Sequence, residues 1–157
     1  MSEGSEPSLP SRRGHVIYVK AQVGAFARSI AVGKSNVVQT TNATAPRSMT
    51  LFPTRTDWDT ARRDAALETS AHDDMHAGEL EASILAEAYP EVLRDGALEQ
   101  DHVAGERSLF LIGGMSAYTR SGVIGRPSAA TAAKGKALLD SLTASFGSHL
   151  QFLDEQQ

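Results

Sequence analysis

Apolar side chains return at helical spacing in two stretches of this chain. From His76 to Tyr89, a projection at 100° per residue puts Ala77, Leu80, Ile84, Leu85 and Ala88 on one face. Near the C-terminus Leu138, Leu142, Phe146 and Leu150 follow one another every fourth residue and predict a core stripe on a last helix. A third helix is expected over Trp58 to Leu67, with Asp57 as its N-cap and Arg62 and Arg63 late in the segment. Shorter runs read differently. His15 to Lys20 is β-branched and reads as a strand, and Ser48 to Phe52 is an apolar run between Pro46 and Pro53. Ser108 to Ile112 is a compact apolar run that reads as a buried strand broken by Gly113-Gly114. Pro90 stops the His76 helix, and Pro127 is placed to open the last one. The alternation is that of an α/β domain.

One residue interrupts the first stripe. Glu81 lies in the middle of the apolar face, whereas Glu79 projects to the opposite side, where it and Glu87 are expected to meet water. A carboxylate on an apolar stripe needs a metal, a strong donor or a proton. His76 stands at the start of the same helix, after the turn His72-Asp73-Asp74-Met75. A histidine and a carboxylate brought together at a helix start suit metal-assisted hydrolysis. The alternative is a surface helix with Glu81 turned to the rim. His72 reads either as a partner behind a metal ligand or as an exposed side chain.

Charge sharpens this picture. Residues 1–56 carry seven Lys/Arg against two Asp/Glu, residues 57–106 three against fourteen, and residues 107–157 five against three. The acidic middle holds the His72–Glu81 segment, suits a cation and argues against nucleic acid. The scattered basic residues at the start carry no aromatic platform, so no nucleic-acid partner is expected. The chain has no cysteine, which removes disulfides and thiolate metal sites and suits a cytoplasmic protein. No apolar run approaches the roughly 18 residues of a membrane span, so no membrane partner is expected. Residues 1–13 read as a disordered tail and residues 14–157 as one domain. His102 is expected to face solvent, His149 to serve a helix end, and the sole tryptophan, Trp58, to anchor a core or an interface. Neither a G-x-S-x-G motif nor a cysteine nucleophile is present.

The segment His76-Ala77-Gly78-Glu79-Leu80-Glu81-Ala82-Ser83 resembles the H-(A/G)-G-x-x-E-T-S motif of the creatininase family of metal-dependent amidohydrolases. Pro90 to Gly96 is similar to the family's P-x-x-V-R-x-G. Gly122 to Pro127, with Ala130 to Gly135, is similar to its G-V-x-G-x-P-x-x-A-T-x-x-K-G. Ser35 to Gln39 resembles the helical segment after the family's glycine-rich loop, so the likeness spans roughly residues 35 to 150. The family's metal-binding E-x-H-G-x-H-L-P-x-x-x-D and N-G-H-G-G-N segments have no counterpart; the second should fall near Ala25 to Val32. The Thr after the motif's Glu is Ala82 here, and a sometimes acidic position before its His is Met75, which leaves that role lost or moved to Asp74.

The resemblance implies a three-layer α/β/α creatininase-like sheet, incomplete at its N-terminal side. It implies hydrolysis of a C–N amide, cyclic amide or formamide bond in a small molecule, with a divalent metal (zinc, manganese or iron). His76 would move the proton and Glu81 would contact metal or substrate, with Asp74 and His72 in support. It also implies a homo-oligomer. The absent segments predict a truncated enzyme, weakly active or inactive alone. The alternatives are a non-catalytic remnant or oligomer subunit that keeps the fold's second half, and a small binding module unrelated to hydrolysis.

Overall fold

The computed structural model describes residues 16–19, 36–43 and 49–155. The expected tail at residues 1–13 and the stretch Ala25 to Val32 lie outside the described residues. Strand β1 is Val16–Val19, helix α1 covers residues 36–43, and strand β2 is Met49–Phe52. The strands pair in parallel, with Val16 opposite Met49 and Val19 opposite Phe52. Parallel neighbours cannot be joined by a hairpin, and α1 lies between them in sequence. Asn42 fastens the end of α1 to β2: its amide donates to the Met49 carbonyl at 2.8 Å and accepts from the Met49 N–H at 3.1 Å.

Helix α2 is Arg55–Asp64, and its start corrects the sequence reading. Thr54, not Asp57, is the N-cap. The Asp57 N–H donates to Thr54 Oγ1 at 3.3 Å and the Thr54 N–H to Asp57 Oδ2 at 2.7 Å, a reciprocal capping box. The helix ends three residues before Leu67, because Ala66 turns to φ +50°.

Helix α3 is Glu79–Ala88 with Gly78 as N-cap, so His76 and Ala77 precede it. Pro90 ends it as expected and opens a short 3-10 turn, Pro90–Val92. Ser108 to Ile112 is not a strand. Phe110–Gly113 forms the one-turn helix α4, whose Phe110 is buried while Leu111 and Ile112 are 79% and 85% exposed. Pro127 opens a 3-10 turn, Pro127–Ala129, rather than the last helix. Helix α5 is Ala132–Glu155, and the Thr131 hydroxyl, which accepts from the Lys134 N–H at 3.1 Å, caps its start.

Helices α2, α3 and α5 share the main core of Ala61, Ala65, Leu80 and Leu138, with Trp58, Ile84 and Leu142 at its edge. The α5 stripe then leaves that core. Phe146 packs on Phe52 of β2, ring centres 5.1 Å apart, and Leu150 is exposed while Leu153 is buried. His149 bridges β2 and α2 instead of serving the helix end, its Nδ1 3.3 Å from Thr50 Oγ1 and its Nε2 3.3 Å from Asp57 Oδ2. A second small core joins Met75, Phe110 and Ile124. The chain is thus α/β, mostly helical, with two strands among the described residues. No helix among them is long and apolar enough to cross a membrane.

The α3–α5 contact is tight at Gly135. A Cβ there would stand 2.0 Å from the Ser83 carbonyl oxygen and 2.9 Å from the Glu87 Cβ. Gly135→Ala is expected to destabilise the fold by about 1–3 kcal/mol through overpacking. Gly147, on the same helix with open space around it, is the control. Gly147→Ala is expected to stabilise by up to about 1 kcal/mol. Urea midpoints of the two variants check both signs.

Candidate functional site

Three stretches that are far apart in sequence meet as a small backbone ladder. The Met75 and His76 N–H groups donate to the Ile124 carbonyl at 2.8 and 3.0 Å, and the Ile124 N–H returns a bond to His76 O at 2.9 Å. His102 and Gly125 exchange bonds of 3.0 and 2.7 Å in the same way. The Gly122–Pro127 turn therefore lies beside His76. Gly78 and Gly125 touch there: a Cβ on Gly125 would lie 2.6 Å from the Gly78 Cα.

Asp74 is buried beneath this contact and does not line the cavity next to it. Its Oδ2 accepts from the Leu80 N–H at 3.0 Å and from Arg62 Nη1 at 3.2 Å. Gly78 has no side chain to cap α3, and the Asp74 carboxylate does so from a distance, at the positive end of the helix. Its Oδ1 is buried with no hydrogen-bond partner and sits where a Gly78 side chain would go. His72 also stays away from the cavity. It is exposed, with Nε2 2.7 Å from the Gly105 carbonyl, and its own carbonyl accepts from Arg107 Nη2 at 2.5 Å. His102 is exposed too, with Nε2 2.7 Å from Tyr118 O.

His76 and Glu81 do come together. Nδ1 of His76 is 3.7 Å from Oε2 of Glu81, and the side chains are 51% and 30% exposed. The same Glu81 oxygen accepts a very short bond from the Ala77 N–H. Burial pushes the Glu81 carboxyl above the ordinary glutamate range; the Ala77 amide and His76 oppose this, and the charge of Asp74 adds to it. Both residues line a cavity of about 820 Å³ with Trp58, Leu80, Ile84 and Leu85.

Glu79 departs from expectation. It does not face water but is fully buried. Its carboxylate accepts from the Glu68 N–H at 3.0 Å, the Thr69 N–H at 2.8 Å and hydroxyl at 2.7 Å, and Lys134 Nζ at 2.6 Å. The expected stripe does not hold together: Leu80, placed with Ile84 and Leu85, is buried on the side of Glu79. Glu79, Leu80, Ala82 and Ser83 form the buried side of α3. The stripe of Ala77, Ile84 and Leu85 shares the other side with Glu81 and lines the cavity. The available signal is Lys134, a cation next to Gly135, where the helices must pack closely.

The creatininase family model (creatinine amidohydrolase) matches residues 17–150. The chain belongs to the creatininase family. The match begins upstream of the likeness read from motifs and takes in β1. No curated protein sequence and no solved structure matches the chain.

Creatininases generally use a divalent metal, and the donors described in this member do not fit one. Among the described residues no three His, Cys, Asp or Glu side chains converge. His76 and Glu81 are two donors, and one Glu81 oxygen is already engaged by Ala77, whereas a catalytic zinc takes three protein ligands.

Burial alone would raise the Glu79 pKa, but the bonds from Lys134, Thr69 and the Glu68 and Thr69 amides outweigh it and hold the carboxyl below its ordinary value of 4.5. A depressed carboxyl contributes stability that is present above the unfolded-state pKa and lost as pH falls through the folded one. The urea midpoint of the native chain is therefore expected to fall on acidification below about pH 5, and less steeply in Glu79→Gln. Glu79→Ala leaves Lys134 with Glu68 and the Ala129 carbonyl but strips the Glu68 and Thr69 N–H groups of their acceptor, and is expected to cost roughly 1–3 kcal/mol at neutral pH. Equal acid slopes in native and Glu79→Gln chains would contradict this assignment.

Proposed function

We propose that this creatininase-family chain is an amidohydrolase whose described residues supply the substrate-facing and proton-handling part of the site without a complete metal centre. Its reaction is hydrolysis of a C–N amide, cyclic amide or formamide bond in a small molecule, weak or absent in the chain alone. The observation that carries this reading is the His76–Glu81 pair, 3.7 Å apart and lining the cavity, with no third ligating side chain beside it among the described residues. The Glu81 oxygen not held by Ala77 hydrogen-bonds the substrate amide. His76 is half exposed and carries a proton between the amide nitrogen and water. The zinc, manganese or iron of the family needs donors beyond these, and no step above depends on it.

The finer architecture belongs to the same proposal: a three-layer α/β/α sheet, incomplete at its N-terminal side, in a cytoplasmic homo-oligomer. Support for oligomerisation comes from Leu109, Leu111 and Ile112, which stand 61%, 79% and 85% exposed around α4. The two-donor site also favours a second reading, a non-catalytic subunit that keeps the fold's second half.

Purified chain dialysed against zinc or manganese is expected to retain well below one equivalent, and to turn over creatinine and simple formamides at rates near background. One-to-one zinc binding by calorimetry, abolished in Glu81→Ala, would overturn the incomplete-centre reading. Turnover lost in His76→Ala but independent of added metal would exclude the non-catalytic subunit.

A further inference from the structure

The cavity wall is built from side chains that the sequence pattern assigns to a core. Ile84, at the edge of the main core, and the more exposed Leu85 line it from α3, and Val92, Leu98 and Val123 join them with Trp58. Leu85 and Val92 are 37% and 54% exposed although they stand in a concave surface. At about 820 Å³ the cavity falls within the roughly 300–1,000 Å³ of pockets that enclose drug-sized ligands. His76 and Glu81 are its polar groups on the α3 side, and Arg94, Asp95, Gln100 and Ser121 also contribute to a lining that is mostly apolar. One Glu81 oxygen is held by the Ala77 amide, and no donor among the described residues holds the other. A polar point beside a broad hydrocarbon wall matches a ligand with one amide group and a large apolar remainder. A small polar ring would satisfy Glu81 and leave the wall wet.

Resting on the amidohydrolase reading above, we propose that this site selects amides bearing a bulky, uncharged aliphatic or aromatic group over small polar amides such as creatinine. The amide meets Glu81 and His76, and the hydrocarbon covers Ile84, Leu85 and Trp58.

Trp58 is the sole tryptophan and lines the cavity, so its fluorescence reports occupancy directly. The full chain is titrated with N-acetyl-phenylalaninamide, N-acetyl-leucinamide, creatinine, acetamide and 3-phenylpropan-1-ol, the last carrying hydrocarbon without an amide. The two apolar amides are expected to bind at least tenfold more tightly than creatinine or acetamide. That advantage is expected to vanish in Leu85→Glu, a half-exposed position, with the melting temperature unchanged. Val92→Glu serves as a second wall variant should Leu85→Glu fail to fold. Creatinine binding as tightly as the apolar amides, with both weakened in Glu81→Gln, would overturn the selectivity and leave the amide reading standing. Equal binding of 3-phenylpropan-1-ol and the apolar amides, indifferent to Glu81→Gln, would remove the amide reading as well. No response to any ligand, with Leu85→Glu converting an associated chain to monomer in sedimentation, would make the wall a protein contact and sink the proposal.

Discussion

Gly78 and Gly125 approach until neither can carry a side chain, and the site's arrangement follows from that contact. It lets the Met75–His76 backbone pair with Ile124 and sets the first turn of α3 above Asp74. Asp74 in turn caps the helix and ties it to Arg62 of α2. A methyl group on either glycine would push the two motif segments apart. His76 and Glu81 would then lose their register, since one precedes the helix and the other rides on it. The placement of His76 beside Glu81 therefore begins with a backbone contact between two glycines.

Two glutamates two residues apart show how strongly position on one helix decides a carboxyl's state. Glu79 meets three neutral donors and a lysine, has its carboxyl held below the ordinary range, and does not line the cavity. Glu81 meets one amide and a histidine at 3.7 Å, is pushed towards its neutral form, and lines the cavity. Burial acts on both carboxyls, and the number of donors around each decides which way it shifts. The Glu79–Lys134 pair locks α3 to α5 at the level where Gly135 lets the helices close. The rigidity around Glu81 is thus supplied from the far face of its own helix.

Much of this was legible in the sequence where the signal is local. The stop at Pro90, the strand within His15 to Lys20, the long C-terminal helix and the shared face of Glu81 with Ile84 and Leu85 are all present. The failures share a cause: each needed a partner distant in sequence or a rival local bond. Asp57 reads as an N-cap because its own residue type fits, yet Thr54 takes that place and uses Asp57 as the other half of the capping box. Pro127 is pre-shaped for a helix start, but Thr131 supplies the hydroxyl that caps α5. Ser108 to Ile112 has the composition of a buried strand and finds no strand to pair with among the described residues; it closes one helical turn instead. Glu79 was given to water because nothing in its own helix says that Lys134 waits behind it.

The same inversion of faces bears on what the chain does. Periodicity identifies which residues of α3 stand together, but it cannot say which side meets the protein. Small Ala82 and Ser83 win the tight face because α5 comes close only over small groups and Gly135, with Glu79 admitted by its lysine. That leaves the larger Ile84 and Leu85 beside Glu81, on the cavity side. Apolar surface left uncovered in a concave wall has a free-energy reason to take up hydrocarbon, and a carboxyl with one unclaimed oxygen has a reason to take up a polar group. The incomplete ligand set does not weaken either demand. On the proposed function, recognition of an amide and completion of a metal centre are separable demands, and the wall of Ile84 and Leu85 beside Glu81 answers to the first.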